Sequence, residues 1–141
     1  MQNYRIKNGG KINRDLKISF IFNGKTYFGY KGDTLASALL ANGVHLIGRS
    51  FKYHRPRGII AAGVEDANGK VQLYKDDITE PNVNVTEVEL VNGLKIESQN
   101  CWPSVSFDVW AINNVLNRFF PAGFYYKTFM WPKSFWMSVY E

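Results

Sequence analysis

Leu16-Lys17-Ile18-Ser19-Phe20-Ile21-Phe22-Asn23-Gly24-Lys25-Thr26-Tyr27-Phe28-Gly29-Tyr30 is the stretch that decides the fold. Leu16, Ile18, Phe20 and Phe22 alternate with Lys17, Ser19 and, less cleanly, Ile21, a period of two that predicts a strand with one buried face. Asn23-Gly24 follows, and both residue types accept positive φ, so a tight hairpin is expected there. Lys25 to Tyr30 is the return strand, rich in β-formers. After a turn at Gly32, Asp33 or Thr34 caps a short helix that runs to about Asn42. Leu35, Ala36, Leu39 and Leu40 fall on one face of it, and Asn42-Gly43 supplies a left-handed stop.

Outward from this unit the pattern stays short-stranded. Ile59 to Val64 is small and apolar and is expected to enter the core. Asn68-Gly69 turns the chain into a strand at Val71 to Tyr74. A longer strand is expected from Val83 to Val91, with a bulge where its apolar phase slips between Val85 and Val88. Asn92-Gly93 then leads into Leu94 to Glu97. A hairpin, a crossing helix and further strands make the class α+β, and the arrangement resembles the β-grasp of ubiquitin and plant-type ferredoxins. Residues 1–100 are expected to form this domain. Residues 101–141 form an aromatic-rich helical tail, with thirteen aromatic residues from Trp102 to Tyr140. A helix is expected from Phe107 to Phe120 with Val109, Ile112 and Leu116 inward, and a last short helix after Pro132. So many rings on so small a domain predict that Phe119 to Tyr140 docks on another domain or subunit.

The helix is followed by Gly48-Arg49-Ser50-Phe51-Lys52-Tyr53-His54-Arg55-Pro56-Arg57-Gly58, with no carboxylate between Asp33 and Glu65. Four permanent cations and a histidine interleaved with Phe51 and Tyr53 are not an ordinary solvated run. Arg49, Lys52, Tyr53, His54, Arg55 and Arg57 are therefore the candidate cofactor-binding or interface residues. They are suited to carboxylates of a neighbouring domain or to the phosphate of a cofactor or nucleic acid. The net charge of +5 permits each of these and selects none.

Other chemistry is not supported. His45, His54 and the single cysteine, Cys101, lack any paired spacing for a metal. Cys101 has no histidine near it in sequence and reads as an inert thiol, and no G-x-S-x-G elbow is present. Asp33, Glu65, Asp66, Asp76 and Asp77 read as caps and turn residues. There is no G-x-G-x-x-G and no P-loop, so no catalytic site and no cofactor are expected on this chain alone. A plant-type ferredoxin carries its cluster cysteines in the loop after the helix, and here that loop has none, so a fold without iron–sulfur cluster is expected. The N-terminus has no apolar signal region, no apolar run approaches the ~20 residues of a membrane span, and a lone cysteine suits a reducing, cytoplasmic compartment.

Two long motifs add a resemblance. Gly32-Asp33-Thr34-Leu35-Ala36-Ser37-Ala38-Leu39-Leu40-Ala41-Asn42-Gly43 with Gly48 to Gly58, and Phe120-Pro121-Ala122-Gly123-Phe124-Tyr125-Tyr126-Lys127-Thr128-Phe129-Met130-Trp131-Pro132, resemble the N-terminal part of the alpha subunit of heterotetrameric sarcosine oxidase. The resemblance implies an oxidoreductase complex that demethylates sarcosine to glycine, forms hydrogen peroxide and passes the one-carbon unit to tetrahydrofolate. It implies FAD, FMN and NAD in the parent complex, and the remaining alpha-subunit domains and a beta subunit as partners. The chain would be a structural and interface module, either a fragment or a split form, and no catalytic residue carries over. The subunits of N-methylglutamate and proline dehydrogenase complexes stay open as alternatives. So does a stand-alone anion- or nucleic-acid-binding module, although nucleic acid is not the expected partner, and so does a ligand-free adaptor.

Overall fold

A computed structural model describes residues 2, 4–75 and 78–116. β1 (Asn13–Phe22) and β2 (Lys25–Lys31) form the expected hairpin, turning on Asn23 and Gly24 at φ +48° and +75°. Both central residues are left-handed, as the twist of a two-residue hairpin requires. Phe20 and Phe22 are buried, whereas Leu16 is half exposed, because the pairing slips between Asn13 and Lys17. α1 (Leu35–Ala41) then crosses the sheet. β5 (Lys70–Lys75), β6 (Ile78–Asn84) and β7 (Leu94–Ser98) complete a five-stranded sheet in the order β2-β1-β7-β5-β6. β7 lies parallel to β1 and antiparallel to β5. This mixed sheet with few helices is consistent with a β-grasp. A separate two-stranded ladder, β3 (Gly48–Arg49) with β4 (Pro56–Arg57), lies within the basic stretch.

The core lies between α1 and the sheet. Phe20, Leu35, Leu39, Ile47, Val71 and Val85 have no exposed surface. Each such side chain contributes about 1.5–3 kcal/mol by leaving water. The helix is short, and its start is held by more than its cap. Thr34 Oγ1 accepts from Ser37 N at 3.2 Å. Leu35 N donates to Val88 O at 2.8 Å and Ala36 N to Val85 O at 2.9 Å, so the loop after β6 satisfies amides that a helix start leaves unpaired. Asp33, 2% exposed, accepts from Tyr30 N, Ser37 Oγ and both terminal nitrogens of Arg5 at 2.7–3.0 Å. The N-terminal segment is thereby pinned to the helix entry.

Three expectations are corrected. The strand expected over Val83 to Val91 ends at Asn84 and begins at Ile78, and the apolar residues after it form a loop whose Val85 and Leu90 fill the core beneath α1. Ile60 and Val64 are exposed, and of the Ile59 to Val64 segment Ile59 packs partly buried against the core. The helix expected from Phe107 is a 3-10 turn (Val109–Ala111) running into one turn of helix, α2 (Ile112–Val115). Val109 and Ile112 are exposed instead of inward. The tail from Phe119 to Tyr140 lies outside the described residues, as do Asp76 and Asp77.

Gly29 on β2 faces Ala38 of α1 and Leu90 of the loop after β6. A Cβ there would stand 2.3 Å from Leu90 Cδ2 and 3.0 Å from Ala38 Cβ. Gly29→Ala is expected to lower stability by about 1–3 kcal/mol through overpacking, read as a lower midpoint in thermal or urea unfolding; an unchanged midpoint would show that Leu90 repacks freely.

Candidate functional site

The basic stretch leaves the core at Ile47, which is fully buried. Ile47 N donates to Arg57 O at 2.9 Å, closing the base of the β3–β4 hairpin. The hairpin is then stitched to the end of β7. Ser98 Oγ donates to Ile47 O at 2.6 Å, Arg49 N to Gln99 O at 3.1 Å, and Asn100 Nδ2 to Arg49 O at 3.0 Å. Gly48 allows this approach, since a Cβ would meet Lys70 O and Gln99 O at 3.3 and 3.4 Å. His54 has φ +53° and closes the loop by donating its N–H to Ser50 O at 3.0 Å.

The six candidate residues divide into two sets. Arg49 and His54 turn inward to Asp108, whose side chain is fully buried. His54 Nδ1 lies 2.7 Å from Asp108 Oδ2; a carboxylate only accepts, so the ring nitrogen carries the hydrogen. Arg49 Nε is 3.6 Å from the same oxygen and donates to Val105 O, while its Nη1 donates to His54 O. Asp108 Oδ1 accepts from Trp102 N and Trp110 N at 3.0 and 3.2 Å. Burial alone would raise this carboxyl; the Trp102 amide, His54 and the Trp110 amide outweigh it and hold it below the usual carboxylate range. One ionised carboxylate thus ties the basic loop to the segment that leaves β7.

The second set faces outward. Arg55 stacks over the Tyr53 ring at 4.7 Å and donates Nε–H to Asn114 Oδ1 at 2.9 Å. Lys52 Nζ lies 5.2 Å from the same ring. Arg57 is exposed and donates to Asn68 Oδ1. Among the described residues, neither Arg55 nor Arg57 forms an ion pair. Around them lies apolar surface: Phe51 is 80% exposed, Phe107 69%, Trp102 62% and Trp110 54%.

Asp108 and Asn114 are not evident in the sequence, because they lie inside the stretch read as one long helix. The available signal is an aspartate directly before an apolar run, the signature of a cap. Asp66, read as a turn residue, holds residues 60–69 as a unit by accepting from the amides of Ile60, Ala61, Asn68 and Gly69 at 2.7–3.0 Å. Burial raises its carboxyl and these four bonds more than reverse the effect, leaving it well below the usual range.

The sequence profile of the 2Fe-2S iron-sulfur cluster binding domain matches residues 15–101. The chain belongs to that family. Within it, the chain is 52% identical over its full length to sarcosine oxidase subunit alpha of Rhizobium meliloti (strain 1021), covering 14% of that subunit. It is 39% identical over 89 residues to sarcosine oxidase subunit alpha of Corynebacterium sp. (strain U-96), covering 61% of this chain and 9% of that one. The chain therefore spans about a seventh or less of these curated relatives. The crystal structure of L-proline dehydrogenase from P. horikoshii aligns over 74% of this chain and 19% of its own, with a TM-score of 0.51 and 25% identity. The donor set does not fit a cluster of the family's type. Such a cluster takes four cysteine thiolates, and this chain has one cysteine. Burial, then the charge of Asp108, pushes the Cys101 thiol up, away from the thiolate a ligand must be. Among the described residues no three of His, Cys, Asp or Glu gather as ligands. No helix among them is long and apolar enough to cross a membrane.

Asp108→Asn is expected to lower stability by about 2–4 kcal/mol, because it leaves the buried Arg49 guanidinium without its counter-charge and weakens the hydrogen bond to His54. The folded carboxyl titrates below its unfolded value of about 3.9, so its stabilisation is present above that pH and is lost as pH falls through the folded value. Unfolding midpoints followed from about pH 6 down to pH 2 should fall less steeply in Asp108→Asn than in the parent protein. Parallel curves would exclude this role.

Proposed function

We propose that this chain is the N-terminal module of a sarcosine oxidase-type flavoenzyme complex, acting as a structural and interface element without an iron–sulfur cluster. The 52% identity to a sarcosine oxidase alpha subunit along the whole chain is the observation that carries this reading. In that setting residues 1–100 are the β-grasp unit, and residues 101–141 are the part that meets other domains or subunits. The parent complex would oxidise sarcosine to glycine, form hydrogen peroxide and pass the one-carbon unit to tetrahydrofolate, using FAD, FMN and NAD held elsewhere. In this reading the His54–Asp108 pair is structural, and the sequence carries no dinucleotide fingerprint. It would work in the cytoplasm, its partners being the remaining alpha-subunit domains and a beta subunit.

What the geometry adds is the character of the contact surface. Trp102, Phe107 and Trp110 are exposed on the segment that Asp108 fastens beside the basic loop, and Arg55 stands with Tyr53 at its edge. Aromatic and arginine side chains side by side are the composition of interface hot spots. A proline dehydrogenase complex is the second reading, favoured by the likeness to the L-proline dehydrogenase structure, and it keeps the same role for this surface.

The test is assembly. In the full complex, Trp110→Ser and Arg55→Gln should each weaken subunit or domain association, by about 2 kcal/mol or more for the tryptophan. Size-exclusion mass and flavin absorbance would be read on dilution. A complex that keeps its mass and flavin content in both variants would exclude this surface as the contact.

A further inference from the structure

The outer side of the β3–β4 hairpin, the Ala67–Lys70 turn and the end of β7 enclose an open cavity of about 330 Å³. Its charged lining is entirely cationic: Arg49, Arg57 and Lys70, with no carboxylate among the lining residues. Arg49 is committed to Asp108 behind the wall, but Arg57 and Lys70 are not. Arg57 reaches only a neutral amide oxygen on Asn68, and Lys70 Nζ a neutral one on Asn84 at 3.4 Å. Among the described residues neither forms an ion pair. The side chains of Ser50, Asn68 and Asn82 also line it. Cations and amide donors around a concave space are a receptor for an oxyanion, and an arginine fork beside a lysine suits a phosphoryl group best.

Two further features describe the rest of the ligand. Gln99 lines the cavity, and its buried Oε1 has no hydrogen-bond partner among the described residues, so a turn of this amide toward the space would offer an acceptor to a ligand hydroxyl. Phe51 lines the rim with 80% of its surface exposed, a face on which a flat ring can stack. The volume is at the lower end of small-molecule sites, enough for a phosphate with a modest body and too little for a dinucleotide.

We propose that this cavity binds a hydroxyl-bearing phosphate monoester of about mononucleotide size, with Arg57 and Lys70 on the phosphate and Phe51 against the ring. Trp102, Phe107 and Trp110 do not line the cavity, so the site stands whether or not the assembly role above holds.

AMP and inorganic phosphate are the probes, titrated calorimetrically into the full protein in its native assembly. Arg57→Gln and Lys70→Gln should each weaken AMP binding about tenfold. Asn82→Asp should do the same by placing a negative charge on the rim, at the register shift of β6, where Asn82 has a φ of +61° that aspartate tolerates. Lys31→Gln, which removes one charge far from the cavity, should leave it unchanged. Inorganic phosphate should compete with AMP at higher concentration. No AMP binding overturns the proposal, and so does binding that all three cavity variants leave intact, since that places the nucleotide elsewhere. Loss of assembly in Arg57→Gln without any AMP affinity also overturns it, in favour of a partner's carboxylate filling the cavity.

Discussion

A carboxylate removed from water must have its oxygens filled by donors, and three such groups hold this molecule together. Asp33 fixes where the helix starts and what the N-terminal segment rests on. Asp66 gathers four amides and makes a rigid unit from a stretch that has no regular structure. Asp108 fastens the basic loop to the segment beyond β7. The apolar core is ordinary in size, and on its own it would leave these three long connections loose. What gives them one conformation is the cost of leaving any of those lone pairs or amides unfilled.

The family to which the chain belongs is a 2Fe-2S cluster binding domain, and the loop after the helix, which has no cysteine here, is organised on other terms. Where thiolates would collect around metal, a histidine and an arginine collect around a carboxylate. A carboxylate centre, however, needs no metal to fold, and it leaves the outward cations available. Arg55 and Arg57 hydrogen-bond to neutral amide oxygens, which orient the guanidinium groups without discharging them.

The hairpin and helix were legible because their signals are local: a period of two, Asn23-Gly24, a threonine cap and Asn42-Gly43 within about thirty residues. β6 was not, because it is an edge strand containing Pro81 and its side chains are mostly exposed, so no alternation marks it. The apolar run from Val85 to Leu90 mimicked a strand because its residues fill the core as a loop. The cationic character of Gly48 to Gly58 could be read directly, but its division into inward Arg49 and His54 and outward Arg55 and Arg57 could not. That division is imposed by Asp108, a partner 54 residues away from His54 in the chain. Pairings of that kind have no periodicity to betray them.

The parallel register of β1 on β7, with Phe20 beside Leu94 and Phe22 beside Ile96, sets an order of events during synthesis. The central partner of the first strand is the last strand of the sheet. The hairpin can form as soon as it leaves the ribosome, but one edge of β1 stays unpaired until Leu94 to Ser98 has emerged. Loop closure over that separation makes the step slow and keeps apolar surface open meanwhile. A nascent chain paused before β7 would therefore carry an unpaired strand edge open to the wrong partner.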